Sequence, residues 1–407
     1  MRLHRPLLTG VIHLLHGIFS GGRQADHAVE KALRSNPRWG GRDRRFVAES
    51  VYEIVRWWRW LWHLAGLPDE DCLIPERVTP ERLWLVWAAS WLDRGNDMPD
   101  FSECAELDPA AVARRKTGPV PAAVRTSFPG WLWAGASAEL GDAWPLMADA
   151  LNVPASVFLR ANLLRTDGPG LAARLAAEGI LTTSVPGLPD ALRLMERRSL
   201  AASQALQDGL MEIQDAGSQH IAPLLQAAPG MTIVDACAGA GGKALHLACL
   251  MANRGQIIAL DVRSKALENL KTRARRNGAS MITTRVVAGS EALADLHECA
   301  DAVLLDVPCS GLGVLRRHPD TKWKLSPRTL DDLRYEQRAI LQNRSALLRP
   351  GGALVYATCS VLPSENELQV QAFLTGRPDW ILEVECRPSP VSHDHDGFYA
   401  ARLRRIR

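Results

Sequence analysis

The sequence predicts an α/β protein: a doubly wound, mainly parallel sheet in the C-terminal half, preceded by an all-helical domain and a small α/β extension. Two observations carry that expectation. From residue 230 onward, short apolar runs of strand length alternate with helical stripes, and such alternation builds a parallel sheet covered on both faces. Toward the N-terminus the apolar residues recur at helical spacing, and eleven of the thirteen tryptophans lie before residue 145.

In chain order, Leu7, Val11, Leu14, Leu15 and Ile18 follow one helical face. Residues 34–45, with Pro37, Gly40 and Gly41, read as a loop whose Arg38, Arg42, Arg44 and Arg45 are either a solvated face or a phosphate contact. A second stripe runs from Phe46 to Trp62, and residues 81–94 form a third helix. The tryptophans read as a packed core more readily than as stacking platforms. Residues 97–124 carry four prolines and read as a linker. The middle segment offers short strands ending near Asn162 and around Leu192 and Met211, and a helix over 171–178 closed by Gly179. The strands MTIVDA (231–236), QIIALD (256–261), TTRVVA (283–288), AVLLD (302–306) and GALVYAT (352–358) follow, with helices over 243–251, 264–276 and 330–348 and a last strand in DGFYAARL (396–403). The expected domains are 1–120, 125–225 and 226–407.

The 407 residues carry a net charge of +3, so bulk charge singles out no partner. Its distribution says more: residues 1–60 hold eleven Lys/Arg against five Asp/Glu, an excess of six, so the remainder is slightly acidic. The eight cysteines form no CxxC pair and no Cys/His cluster of zinc spacing, which points to reduced thiols, a cytoplasmic protein and no metal. The apolar segments are too short or too charged to span a bilayer, and no signal peptide is read.

Two turns carry the chemistry. The first, Asp235-Ala-Cys-Ala-Gly-Ala-Gly-Gly-Lys243, joins a strand to a helix through three glycines, which allow close backbone approach and leave helix N–H groups for a ligand. It has neither the G-x-G-x-x-G dinucleotide spacing nor the Walker spacing. Asp261 closes the next strand, where a carboxylate accepts ribose hydroxyls. An adenosine cofactor without a pyrophosphate fits, namely S-adenosylmethionine. Asp235 either touches the ligand or holds the loop.

The second turn is DVPCSGLGVLRRHPDTKW (306–323), where Asp306 and Cys309 follow a buried strand; its basic run, Arg316, Arg317, His318, Lys322 and Lys324 around Trp323, suits a polyanion with stackable bases. Tyr356-Ala-Thr-Cys-Ser360 ends another strand, so Cys309 and Cys359 are expected to face one pocket. A thiol, a carboxyl and a further base suit methylation at carbon 5 of cytosine: thiolate addition at carbon 6 makes carbon 5 nucleophilic, the carboxyl stabilises charge at N3, and the base removes the carbon-5 proton. Spacing leaves open which thiol attacks.

Together, DACAGAGGK, DVPCSGLGVLRRHPDTKW, YATCS and DGFYAARL resemble the Sun/Fmu family of RNA cytosine-5 methyltransferases over about residues 125–407. The resemblance implies a Rossmann-like S-adenosylmethionine-dependent methyltransferase domain. It implies Cys359 as nucleophile, Cys309 assisting product release and Asp306 holding the target base near the cofactor. Cys237, Ala238, Gly239, Ala240, Gly241, Gly242, Lys243 and Asp261 are implied to line the cofactor site. Ala240 stands where the family usually has Pro, and the third strand, ending Ala288-Gly289-Ser290, lacks the Asp often found near the adenine. Residues 1–66, through NPRWGGRDRRFVAESVYEIVR, resemble the helical domain shared with transcription antitermination factors, which implies RNA contact. Arg160 and Asn162 either touch RNA or pack the extension, and Phe398 reads as core. Ribosomal RNA is the implied substrate. Two other readings stay open: an RNA-binding transcription or assembly factor with a relic methyltransferase domain, and a DNA methyltransferase using Cys309.

Overall fold

The computed structural model describes residues 4–287 and 291–407. Its contacts divide it into two compact units, Met1–Val153 with Leu315–Pro327, and Pro154–Val314 with Arg328–Arg407.

The first unit is helical. The helix Arg5–Phe19 carries Pro6 in its first turn, where proline is tolerated, and buries Leu7, Leu8, Val11, Ile12, Leu15 and Ile18 along one stripe. Helices Ala25–Ser35, Gly41–Arg56, Trp58–Leu64 and Pro80–Asp93 pack around it. The expected loop over 34–45 shrinks to residues 36–40, because Gly40 caps the next helix and its N–H is taken by the Asp43 carboxylate. Trp58, Trp62, Trp87 and Trp144 are fully buried. The Trp58 and Trp62 indoles donate to the carbonyls of Cys72 and Pro68, so these two rings enter the core with their polar edges satisfied.

One expectation fails here. Residues 97–124 are no linker: Cys104, Leu107 and Val112 join the helical core, and helices Pro109–Thr117 and Ala122–Arg125 form within them. The division falls at Val153/Pro154, so the helices Gly130–Leu140 and Trp144–Leu151 count with this unit.

The basic run is no open polyanion surface either. Leu315–Pro327 belongs to the helical unit. Arg316 and Lys322 are buried there, with Lys322 Nζ 3.0 Å from Asn152 Oδ1 and 4.3 Å from the Phe128 ring centre. Arg56 donates to the carbonyls of Leu315 and Arg316, Trp323 Nε1 to that of Val55, and the Asp320 carboxylate accepts from Ala25 N–H. Burial, then Arg56, lowers the Lys322 pKa well below the usual lysine range.

The second unit holds two sheets. Strands β1 (Phe158–Ala161), β2 (Thr182–Val185), β3 (Leu188–Leu194) and β4 (Met211–Ile213) form an antiparallel sheet in the order β2-β3-β1-β4. The large sheet contains β5 (Thr232–Asp235), β6 (Gln256–Asp261), β7 (Ile282–Val286), β8 (Ala300–Asp306), β9 (Leu348–Thr358), β10 (Trp380–Cys386) and β11 (Tyr399–Arg405), ordered β10-β11-β9-β8-β5-β6-β7. β5 to β9 are mutually parallel, and β11 and β10 run antiparallel at one edge. One apolar cluster, with Leu245, Leu270 and Val355, covers one face; another, with Val303, Leu341 and Tyr356, covers the other. Burial on both faces explains the unbroken apolar runs of β5 and β8. Ser264–Asn277 ends at Gly278 in the left-handed conformation that glycine adopts without strain. Ala288-Gly289-Ser290 lies outside the described residues.

Candidate active site

The parallel strands deliver the candidate side chains. β5 ends at Asp235, β6 at Asp261, β8 at Asp306 and β9 at Thr358, and parallel pairing sets these ends on one edge. Asp306 pairs in register with Ala357, two residues before Cys359. The strand sequence runs β5-β6-β7 to one side and β8-β9 to the other, so its direction reverses between β5 and β8, where open α/β sheets form their binding crevice.

A cavity of about 920 Å³ lies there. Cys237, Ala238, Gly239, Ala240, Gly242, Lys243, Asp261, Asp306, Cys309 and Cys359 all line it, as does Asp235. Gly241 does not. It is the left-handed residue before the helix Gly242–Leu250, and a side chain there would strike Leu270 behind the loop. Its role is to let the loop pack.

At one end of the cavity the two sulfurs converge, with Cys309 Sγ 3.3 Å from Cys359 Sγ. Lys243 Nζ lies 2.6 Å from Asp306 Oδ2 and 5.7 Å from the Phe398 ring centre; Phe398 itself is buried core. The Cys359 sulfur and then burial push the Cys309 thiol well above the ordinary cysteine range, so Cys309 stays protonated. Burial pulls the Lys243 pKa down, but the charge and hydrogen bond of Asp306, helped by Cys359 and Asp235, outweigh it and keep the ammonium.

At the other end, Asp261 accepts from Gly239 N–H at 2.7 Å and Arg263 N–H at 2.8 Å. Burial opposes its charge, yet these bonds and the Arg263 side chain hold its pKa below the usual value. Asp235 is the opposite case. It is 1% exposed, and neither carboxylate oxygen has a hydrogen-bond partner of normal geometry. Burial, then the charge of Asp306, pushes it up to about 7, against Lys243 and the Cys237 N–H. A buried polar group without partners is costly unless a ligand completes it.

The sequence reading missed Glu365. This fully buried carboxylate accepts from Ser310 N–H at 2.8 Å, from the Ser310 and Ser360 hydroxyls, and from Gln337 Nε2 at 2.9 Å. Ser310 follows Cys309 and Ser360 follows Cys359, so one side chain ties the two cysteine turns together. Gly313 N–H to Cys359 O, at 2.8 Å, is a second tie. Also missed were Glu336, Ile340, Asn343 and Arg344, which line the cavity from the helix Pro327–Arg344. Their i, i+4, i+7, i+8 spacing marks one helix face and was available in the sequence. Arg160 and Asn162 are buried in packing roles: Arg160 donates to Gly242 O, and Asn162 to Gly209 O and Asn277 O.

A family model described as 16S rRNA methyltransferase RsmB/F matches residues 222–404, and one for the RsmF/B-like ferredoxin-like domain matches residues 128–201. The probable ribosomal RNA small subunit methyltransferase B of Synechocystis sp. is 31% identical over 93% of this chain and 95% of its own. The chain belongs to the RsmB/F methyltransferase family. It is therefore an enzyme of the methyltransferase class, and the cavity at the crevice is its candidate active site. A solved structure aligned over 100% of both chains gives a TM-score of 0.82 at 23% identity, which supports the fold. A methyltransferase homolog protein from Pyrococcus horikoshii gives 0.62 at 26% identity, over 70% of this chain and 97% of its own. In this RsmB/F-family chain no group of His, Cys, Asp or Glu among the described residues has the arrangement to hold a metal, and no helix among them is long and apolar enough to cross a membrane.

Proposed function

We propose that this enzyme converts cytosine to 5-methylcytosine in small-subunit ribosomal RNA, with S-adenosylmethionine as methyl donor and a covalent bond between Cys359 and carbon 6 of the base. The family and the name of the Synechocystis relative support the substrate. The observation that carries the chemistry is the pair of sulfurs 3.3 Å apart beside the Lys243–Asp306 pair, at the end of a cavity large enough for a nucleoside and a cofactor.

The donor's fit rests on the glycine loop, on Asp261 at the end of β6, on the partnerless Asp235, and on Val262, an exposed apolar side chain on the cavity wall suited to a flat base. When bound, S-adenosylmethionine supplies an electrophilic methyl group on a sulfonium. The chain's own residues do the rest. The Cys359 thiolate gives its electron pair to carbon 6, and the ring's 5,6 π pair moves to carbon 5, making it nucleophilic. Lys243 stabilises that thiolate, and the protonated Cys309 thiol is placed to donate to it. Asp306 holds the N3 edge of the base, and the Lys243 ammonium paired with it offsets the negative charge the ring gains. After carbon 5 has gained its methyl group, a base removes the carbon-5 proton, the double bond reforms, and the sulfur leaves with its electron pair. The family resemblance assigns assistance in this release to Cys309.

The intact set of Asp306, Cys309 and Cys359 speaks against a relic domain. We assign RNA contact to the helical unit through Arg38, Arg42 and Arg45, which are exposed. Bisulfite sequencing of ribosomal RNA from cells with and without the gene tests the assignment. A cytosine protected only when the gene is present is expected; an unchanged pattern would overturn it.

A further inference from the structure

The second unit holds another cavity, of about 600 Å³, that the proposed chemistry does not use. Its walls are the β2–β3 hairpin over residues 183–187, the segment after β10, and His220. The rings of His393 and His395 stack at 5.1 Å and 8°, and His220 meets His395 edge-on at 6.2 Å. The Asp394 carboxylate is fixed by Arg193 at 3.1 Å and by the Ser156 hydroxyl, and Arg387 is held by Glu367 at 2.8 Å. These histidines are not arranged as metal ligands. Planar imidazole faces beside two guanidinium groups match a nucleobase with its phosphate.

Two chain segments run from this cavity toward the active site. Ser218 lines one and His220 the other, two residues apart, so at most about 7 Å of chain separates them. From His395 the chain continues through Gly397, which donates to Gly313 O, to Phe398 beside Lys243. A strand delivering a base to Cys359 therefore has its neighbouring nucleotides within reach of the histidines.

We propose that this second cavity binds a nucleotide of the same RNA strand close to the target cytosine, its base against the His393–His395 pair and its phosphate toward Arg193 and Arg387. The inference rests on the proposed RNA cytosine methyltransferase activity, and it gives that site a register-setting pocket.

Two measurements test it on the full chain. The first is affinity for a small-subunit ribosomal RNA transcript. His393→Ala and the double variant His220→Ala/His393→Ala should weaken binding, the double variant by about 10-fold or more, while S-adenosylmethionine binding stays unchanged. His393 is exposed, so that variant should fold. Unchanged RNA affinity in both variants would overturn the proposal. The second uses the transcript with 5-azacytosine at cytosine positions and 4-thiouridine at uridine positions. Photocrosslinks from the Cys359-trapped complex should fall on peptides holding His220 or residues 387–395; crosslinks elsewhere only would overturn it. If no trapped complex forms with the wild-type chain, the methyltransferase reading itself fails, whereas the affinity measurement reads the pocket without any chemistry at Cys359.

Discussion

Residues 306–313 and 316–324 are separated by two positions in the chain and look equally functional as text, yet the structure uses them in opposite ways. The first stretch leaves the end of β8 beside β9, and its carboxylate and thiol enter the cavity. The second places Arg316 and Lys322 inside the helical unit, where they donate to the Val153 carbonyl and to Asn152, while the exposed Lys324 is tied to Asp320 and the Arg23 carbonyl. Residue type alone did not separate them. The strand end did: a side chain just past a parallel strand has its direction set by the sheet, whereas the fate of a charge run depends on which neighbours fill its hydrogen bonds.

The largest expected effect lies in the first stretch and its partner turn. Cys359→Ala should abolish methyl transfer and the RNA adduct together, read as incorporated methyl label and as a gel-shifted complex. Cys309→Ala should let the adduct accumulate while turnover falls by about 10²-fold or more, as for loss of a general acid–base group. Equal loss of adduct in both variants would undo the division of labour.

Glu365→Ala should separate the two cysteine turns. Turnover should fall roughly 10- to 100-fold from misplacement of about an ångström, with S-adenosylmethionine affinity unchanged, because Glu365 does not line the cavity. Glu365→Gln, which keeps one carbonyl acceptor, should recover part of the rate. A fall in cofactor affinity as large as the fall in rate would argue for general unfolding instead.

Asp235 makes a pH prediction. Its folded pKa, about 7, lies above its ordinary 3.8. Below pH 4 both folded and unfolded chains hold the proton, and the group contributes nothing. As pH rises from 4 to 7 the unfolded chain releases the proton more readily, so stability falls, and the loss is complete above pH 7. Asp235→Asn should therefore raise the cofactor-free melting temperature at pH 8, by a free energy of at most about 4 kcal/mol, and leave it unchanged near pH 4. Weaker S-adenosylmethionine binding in the same variant would mark a direct contact.

The smallest effects sharpen the contrast between the two stretches. Lys322→Ala should cost roughly 2–4 kcal/mol of stability, as for other buried polar networks, without altering the salt dependence of RNA binding. Arg38→Ala or Arg42→Ala should do the reverse: stability stays level, and the slope of log affinity against log salt drops by about 0.7 to 0.9 for each lost phosphate contact. A reduced slope in the Lys322 variant would restore the polyanion reading of the basic run.

Much of this candidate site was legible in the sequence because each residue expected in it follows a strand whose apolar run is easy to see. The glycine loop, Asp261, Asp306 and the two cysteines needed only parallel topology to meet. Glu365 was not legible, since a carboxylate six residues past Cys359 looks like any surface acid until the two serines turn toward it. The segment over 97–124 was misread because prolines that start helices resemble prolines that break them: Pro109 opens a helix capped by Asp108. The basic run was misread because its partners, among them Arg56 and Asn152, lie more than 160 residues earlier in the sequence.

The most direct test of the central claim is peptide mapping of the covalent complex formed with RNA that carries 5-azacytosine. The sulfur joined to carbon 6 should be that of Cys359, with Cys309 free to react with a thiol reagent once the RNA is digested. A base joined to Cys309, or a complex that survives Cys359→Ala, would contradict the assignment.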